Sequence, residues 1–219
     1  MITLSIQRAS GEYAKFEVEH REGMSILDAL REISADGADI AYRWECGGQG
    51  ICGVCTMNIN GTPKLACTTH AQPGGSYTLE PLEGFPIEKD LLVDFAPRIT
   101  QMDAIQPYLV EGGAPIETKA QADAGKLQRS CIESWACLAV CPVSLETDAM
   151  HAVGMLKLAR FELDPRDGAD RAALAEKFGI EKYAQTCPSC RRCMDICPKG
   201  IDIYVDAIQV LTGAAQHER

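Results

Sequence analysis

Eleven cysteines in 219 residues, gathered into three tight groups, constrain this chain more than any other feature. Its first residues, Met1-Ile-Thr-Leu-Ser-Ile-Gln-Arg8, lack the basic and then apolar layout of a secretory signal. Cytosolic thiols stay reduced, so a disulfide framework is not expected, and the odd count argues the same way. Close-set reduced thiols point to metal ligation.

The first group is Cys46, Cys52, Cys55 and Cys67, spaced C-x5-C-x2-C-x11-C. The plant-type fingerprint for a 2Fe–2S cluster is C-x4-C-x2-C with a distant fourth cysteine. Each iron takes two bridging sulfides and two thiolates, so four cysteines complete the pair. Gly47, Gly48, Gly50 and Gly53 let the backbone wrap tightly and aim N–H groups at sulfur. One extra residue between Cys46 and Cys52 departs from the fingerprint, which makes Cys46 the ligand most in question. A structural zinc site also uses paired cysteines. The glycines and the flanking strand–helix–strand pattern favour iron–sulfur instead.

Cys187, Cys190, Cys193 and Cys197-Pro198 spell C-x2-C-x2-C-x3-C-P, the bacterial ferredoxin run, whose fourth cysteine serves the other cluster of a pair. Cys131, Cys137 and Cys141-Pro142 repeat the frame with Ser134 at the second position. Crossing the fourth ligands gives a 4Fe–4S site of Cys141, Cys187, Cys190 and Cys193. It also gives a second site of Cys131, Cys137 and Cys197. That second site fits a 3Fe–4S cluster beside a spacer Ser134. It equally fits a 4Fe–4S cluster with Ser134 oxygen or solvent on the unique iron. The three sets use all eleven cysteines.

The fold class expected is α+β, with a plant-type ferredoxin (β-grasp) domain over residues 1–85 and a helical two-cluster ferredoxin domain over 86–219. Ile2–Arg8 and Ala14–Val18 alternate as strands around Ser10-Gly11-Glu12. Ser25 and Asp28 form a capping box ahead of Ile26, Leu27, Leu30 and Ile33 on one helical face. Thr56–Ile59 and Lys64–Ala66 flank the hairpin signal Asn60-Gly61, and Thr78–Leu82 reads as a last strand. Beyond Glu83-Gly84-Phe85-Pro86, helices are expected at about 88–108, 142–162, 169–178 and 201–212. Pro97 should interrupt the first, Gly179 and Gly213 sit at helix ends, and the cysteine groups fall on loops.

A net charge of −10 leaves no electrostatic footprint for nucleic acid. No apolar run approaches the ~18 residues of a membrane helix. The expectation is a cytoplasmic protein whose membrane contact, if it has one, comes from a partner subunit.

The layout resembles the iron–sulfur subunit of succinate dehydrogenase and fumarate reductase across nearly the whole chain. The resemblance rests on Cys52-Gly-Val-Cys-Thr-Met-Asn-Ile59, Leu65-Ala-Cys67, Lys89-Asp-Leu-Leu-Val-Asp-Phe95 and Gln106-Pro-Tyr-Leu109. It extends to Cys131-Ile132, Ala159-Arg-Phe-Glu-Leu-Asp-Pro-Arg-Asp167 and Cys197-Pro-Lys-Gly-Ile201. It implies a non-catalytic wire, bound to an FAD-containing flavoprotein that interconverts succinate and fumarate, with electrons passing to a quinone. By resemblance the Cys46 cluster lies nearest the flavin, the Cys131 cluster in the middle and the Cys187 cluster farthest out. The family usually has four cysteines in the middle site and an apolar residue at the place of Cys190, so the pattern here is reversed. Glu146 and Pro188 stand where the family places a quinone-pocket tryptophan and histidine, which brings in non-quinone acceptors and other flavoprotein substrates. A fourth thiolate should also lower the outer potential.

An open iron beside Ser134 could instead act as a Lewis acid in a dehydratase-like site, with Glu133 the nearest acid–base group. Arg191, Arg192 and Lys199 flank the outer motif, where charges can tune a potential, dock a partner or simply form a solvated face. Trp44 and Trp135, beside cluster cysteines, are expected to shield them from water. His20, His70, His151 and His217 lack ligand spacing, and no role is assigned to them.

Overall fold

The computed structural model describes residues 1–213, and His217 lies outside them. The chain forms two compact units. One comprises Met1–Phe95 together with Ile132–Ala139; the other comprises Ala96–Cys131 and the chain from Val140 on.

The first unit is built on a five-stranded sheet ordered β2-β1-β5-β3-β4, from β1 (Ile2–Gln7), β2 (Tyr13–Val18), β3 (Thr56–Ile59), β4 (Thr62–Leu65) and β5 (Ser76–Glu80). β1 pairs antiparallel with β2 and parallel with β5, and β3 runs antiparallel to both β4 and β5. Helix α1 (Ile26–Ala35) lies in the connection that the parallel pair requires. This is the mixed β-grasp arrangement of the α+β expectation. Alternation in β1 buries Ile2, Leu4 and Ile6, each contributing about 1.5–3 kcal/mol. The Ser25–Asp28 capping box forms in full, and Ile26, Leu27, Ala29, Leu30 and Ile33 of α1 are buried. Asn60 and Gly61, both left-handed, make the β3–β4 turn.

The helix expected from residue 88 is not there. Ile87–Lys89 (β6) and Leu92–Val93 (β7) form a short hairpin instead. Long-range polar contacts override the helical periodicity: buried Asp90 accepts from Arg8 Nε at 3.0 Å, the Ala9 amide at 3.1 Å and the Ala41 amide at 3.0 Å. The helix begins only at α2 (Ala96–Asp103), with Pro97 in its first turn, where no N–H is needed. Pro97 therefore opens the helix and does not interrupt it. Ile132–Ala139 packs in this unit as well, and its Trp135 is stacked on Phe95 at 6.0 Å and set edge-on to Phe85 at 5.7 Å.

The second unit adds α3 (Lys119–Asp123), α4 (Lys126–Arg129), α6 (Pro142–Glu146), α7 (Ala152–Glu162), α8 (Arg171–Lys177) and α9 (Ile180–Cys190). The fifth helix, α5 (Ala136–Ala139), belongs to the first unit. The expected helix 142–162 is two helices. The break is held by Ser144 Oγ, which accepts from the Ala152 amide at 3.0 Å, and by buried His151, whose Nδ1 caps α7 through the Gly154 amide. Gly179, left-handed, ends α8 and admits α9. The sequence pattern does not anticipate α9, which places Cys187 and Cys190 on a helix and not on a loop. A π-helical stretch, Tyr204–Ile208, runs into α10 (Gln209–Leu211), with left-handed Gly213 following it. Fully buried Arg171 holds the unit's loops. Its guanidinium pairs with Asp167 and donates to the carbonyls of Ile105, Gln106 and Tyr108 at 2.8–2.9 Å.

Candidate iron–sulfur sites

In the first unit the loop between α1 and β3 carries Cys46, Cys52 and Cys55, and Cys67 follows β4. The Ala66 amide donates to the Cys55 carbonyl at 3.1 Å, which sets Cys55 and Cys67 side by side. The α1 N-terminus anchors the same stretch, through Ile26 and Leu27 amides on the carbonyls of Thr69 and Ala66. Gly47, Gly48, Gly50 and Gly53 all take left-handed conformations that other residues rarely adopt. At Gly47 and Gly48 an added Cβ would meet open space, whereas at Gly53 it would lie 2.5 Å from the Ile132 carbonyl oxygen and 2.9 Å from the Ser134 backbone. Gly53 is therefore glycine because the backbone of 132–134 passes against it, a cause that motif reading alone does not supply.

The loop gives the four sulfurs unlike surroundings. The amide of Ile51 first, then the Cys52 thiol and the amides of Gln49 and Cys52, hold the Cys46 thiol down at about 6. The extra loop residue thus does not carry Cys46 away from Cys52. Burial pushes Cys55 up to about 12, reinforced by the neighbouring Cys67 and Cys52 despite a backbone hydrogen bond at Cys67.

In the second unit Cys141, Cys187, Cys190 and Cys193 line one cavity, walled by apolar groups such as Val140, Val143 and Ile203. Cys141 is the N-cap of α6, its Sγ accepting the Ser144 amide at 3.4 Å with Pro142 next in the first turn. The Cys-Pro pair thereby turns the chain into a helix while presenting sulfur. Burial pushes Cys187 up to about 12, with Cys141, Cys193 and Cys190 adding to it. Burial likewise pushes Cys193 up to about 11, countered in part by a backbone hydrogen bond at Ile203 and reinforced by Cys141 and Asp202. Four thiolates crowded into an apolar wall are unfavourable unless a cationic core lies among them. The donor set fits such a core. Tyr183, wholly buried, lines the same cavity, its hydroxyl donating to the Met150 carbonyl at 2.7 Å and meeting Ser144 Oγ at 2.9 Å.

Of the remaining cysteines, Cys131 and Cys197 lie in the second unit and Cys137, on α5, in the first. No disulfide joins any two of the eleven. Among the described residues no three His, Cys, Asp or Glu side chains are set to hold a single metal ion. Ser134 is buried, whereas a substrate-binding iron there would need a pocket open to solvent. Glu146 and Pro188 are exposed. Trp135 is buried, whereas Trp44 is 41% exposed beneath the Arg31 guanidinium. The described histidines make structural contacts: His20 with the Ala71 carbonyl, His70 with that of Gly23 and His151 with that of Arg98.

The 2Fe-2S iron-sulfur cluster binding domain family matches residues 3–100, and the 4Fe-4S dicluster domain family matches residues 128–201. The fumarate reductase iron-sulfur subunit of Escherichia coli is 33% identical over 201 residues, covering 86% of this chain and 80% of that subunit. This chain belongs to the fumarate reductase and succinate dehydrogenase iron–sulfur subunit family. A chain of the Mycobacterium smegmatis Sdh1 complex in the apo form shares the fold, with a TM-score of 0.85 at 24% identity, covering 100% of this chain and 96% of that one. An uncharacterized iron-sulfur protein of Methanocaldococcus jannaschii is 35% identical over 98% of this iron–sulfur chain, which spans 44% of its length. One of the subunits of the fumarate reductase (CoM/CoB) of Methanothermobacter marburgensis is 35% identical over 93%, with 41% of its own length spanned. The chain thus spans less than half the length of these archaeal relatives. Among the described residues of this family member, no helix is long and apolar enough to cross a membrane.

Proposed function

We propose that the chain is the electron-transfer subunit of a fumarate reductase-like flavoprotein complex, carrying single electrons between FAD in a partner subunit and a quinone or other redox partner. The observation that carries this reading is the apolar cavity lined by Cys141, Cys187, Cys190 and Cys193, where burial pushes the Cys187 and Cys193 thiols up. A 4Fe–4S cluster is assigned there, and a 2Fe–2S cluster to Cys46, Cys52, Cys55 and Cys67. The sequence frame assigns a 3Fe–4S or second 4Fe–4S cluster to Cys131, Cys137 and Cys197. When bound, such clusters supply one-electron steps, which match a two-electron flavin to a one-electron partner. The residues of this chain hold the sulfurs, exclude water and set the potentials. Any membrane contact would come from a further subunit.

A non-quinone acceptor is a second reading. Glu146 and Pro188 are exposed where ring N–H donors would be wanted for a quinone, and one relative's name carries the thiol pair CoM/CoB.

Electron paramagnetic resonance on air-isolated and dithionite-reduced protein, with iron and sulfide analysis, tests the ligand sets. A three-iron signal should vanish in Cys131→Ala and survive Cys190→Ala, while Cys190→Ala should alter the outer cluster. Unchanged spectra in Cys190→Ala would refute the assignment. Reoxidation of the purified complex by a quinone or by the CoM–CoB disulfide separates the two acceptors.

A further inference from the structure

Arg191 holds an unusual position beside the four-thiol cavity. It caps the C-terminus of α9 in the left-handed region at φ 47°, a conformation that side chains other than glycine rarely take. It lines the cavity next to Cys190. Its guanidinium is clamped by the Asp202 carboxylate and by Met194 Sδ at 3.5 Å, and lies 5.4 Å from the Tyr204 ring centroid. Asp202 is fixed in turn, with its Oδ1 accepting the Tyr204 amide at 3.0 Å. Yet Arg191 Nε is sealed from solvent and has no hydrogen-bond partner among the described residues. Folded proteins seldom leave a buried donor without an acceptor. In a cavity lined by four thiols, the acceptor that the wall itself lacks is cluster sulfur.

We propose that Arg191 Nε donates a hydrogen bond to the cluster assigned to Cys141, Cys187, Cys190 and Cys193, and so raises its reduction potential. The proposal rests on that cluster assignment. A donor and a positive charge at cluster sulfur both favour the reduced form, which carries one more electron. Arg191 thereby opposes the lowering that Cys190 brings as a fourth thiolate. Asp202 neutralises part of the charge and holds the fork in place, so the hydrogen bond matters more than net charge. Arg192 also borders the cavity but is exposed, and solvent screens it.

The holo-protein is titrated potentiometrically with the outer cluster followed by electron paramagnetic resonance, for wild type, Arg191→Gln and Arg191→Lys. Arg191→Gln should weaken reduction about tenfold, a downward shift of about 59 mV for one electron. Arg191→Lys keeps the charge and loses Nε, and should recover less than half of that shift. Protein labelled with 15N at arginine Nε supplies a readout that needs no substitution: the reduced outer cluster should show hyperfine coupling to that nitrogen. An unshifted potential in both variants, or no such coupling, overturns the role of Arg191 while the cluster assignment stands. Wild-type protein without an outer four-iron signal overturns the assignment itself and the proposal with it.

Discussion

Replacing Gly53 by alanine separates two reasons for a glycine that the sequence motif merges. The residue sits at φ 75°, where a Cβ costs about 1–2 kcal/mol. The same Cβ would lie 2.5 Å from the Ile132 carbonyl oxygen and 2.9 Å from both the Ser134 Cα and amide nitrogen. All of these are backbone atoms with little freedom to retreat, so overpacking adds about 1–3 kcal/mol. Gly61 is the control. It has φ 74° in the β3–β4 turn and nothing within 4 Å of the added carbon, so Gly61→Ala carries the conformational cost alone. Anaerobic thermal or urea unfolding of the iron-loaded proteins, followed by visible absorption and far-ultraviolet circular dichroism, should place Gly53→Ala about 1–3 kcal/mol below Gly61→Ala. Equal losses would mean that segment 132–134 does not press on Gly53, and the packing of Ile132–Ala139 described above would be wrong.

Other outcomes follow from the same structure. Arg171→Met should destabilise the second unit by about 3–5 kcal/mol, because it leaves the buried Asp167 carboxylate without its cationic partner, and the unfolding midpoint reads the loss. Burial alone would raise the Asp167 carboxyl, but the hydrogen bonds from Arg171 and the Val110 amide hold it below its ordinary value. Its contribution is therefore present above the ordinary carboxylate pKa of ~3.9 and lost as pH falls through the lower folded value, so an acid titration of stability should show it and Asp167→Asn should flatten it. Tyr183→Phe removes a buried hydroxyl shared with Met150 and Ser144, and should cost about 1–2 kcal/mol while keeping all three clusters by iron count.

Local signals are legible wherever chemistry and backbone demand coincide. Ser25 with Asp28 marks a helix start, Asn60-Gly61 a tight turn, and the cysteine frames alone group Cys141 with Cys187, Cys190 and Cys193, the four that line the cavity. The misread segments are those decided at long range. In residues 87–93 the contacts of Asp90 with Arg8, Ala9 and Ala41 choose the hairpin. Pro188, which removes a backbone donor inside the helix, and the close-set cysteines disguise α9 as a loop. The closeness of Ser134 to Gly53 joins residues some eighty positions apart, and no spacing rule anticipates it.

The chain crosses between its two units three times, after Phe95, Cys131 and Ala139. During synthesis the sheet can therefore pair as soon as β5 has emerged, but Phe85 and Phe95 wait for Trp135, about forty residues later. A ribosome that stalls, or a protease that cuts, between those points leaves an amino-terminal fragment with its aromatic side bare and prone to stick. Neither half can be lifted out intact by a single cut, and shuffling them as independent cassettes would need the short excursion of 132–139 to travel with the half that precedes it.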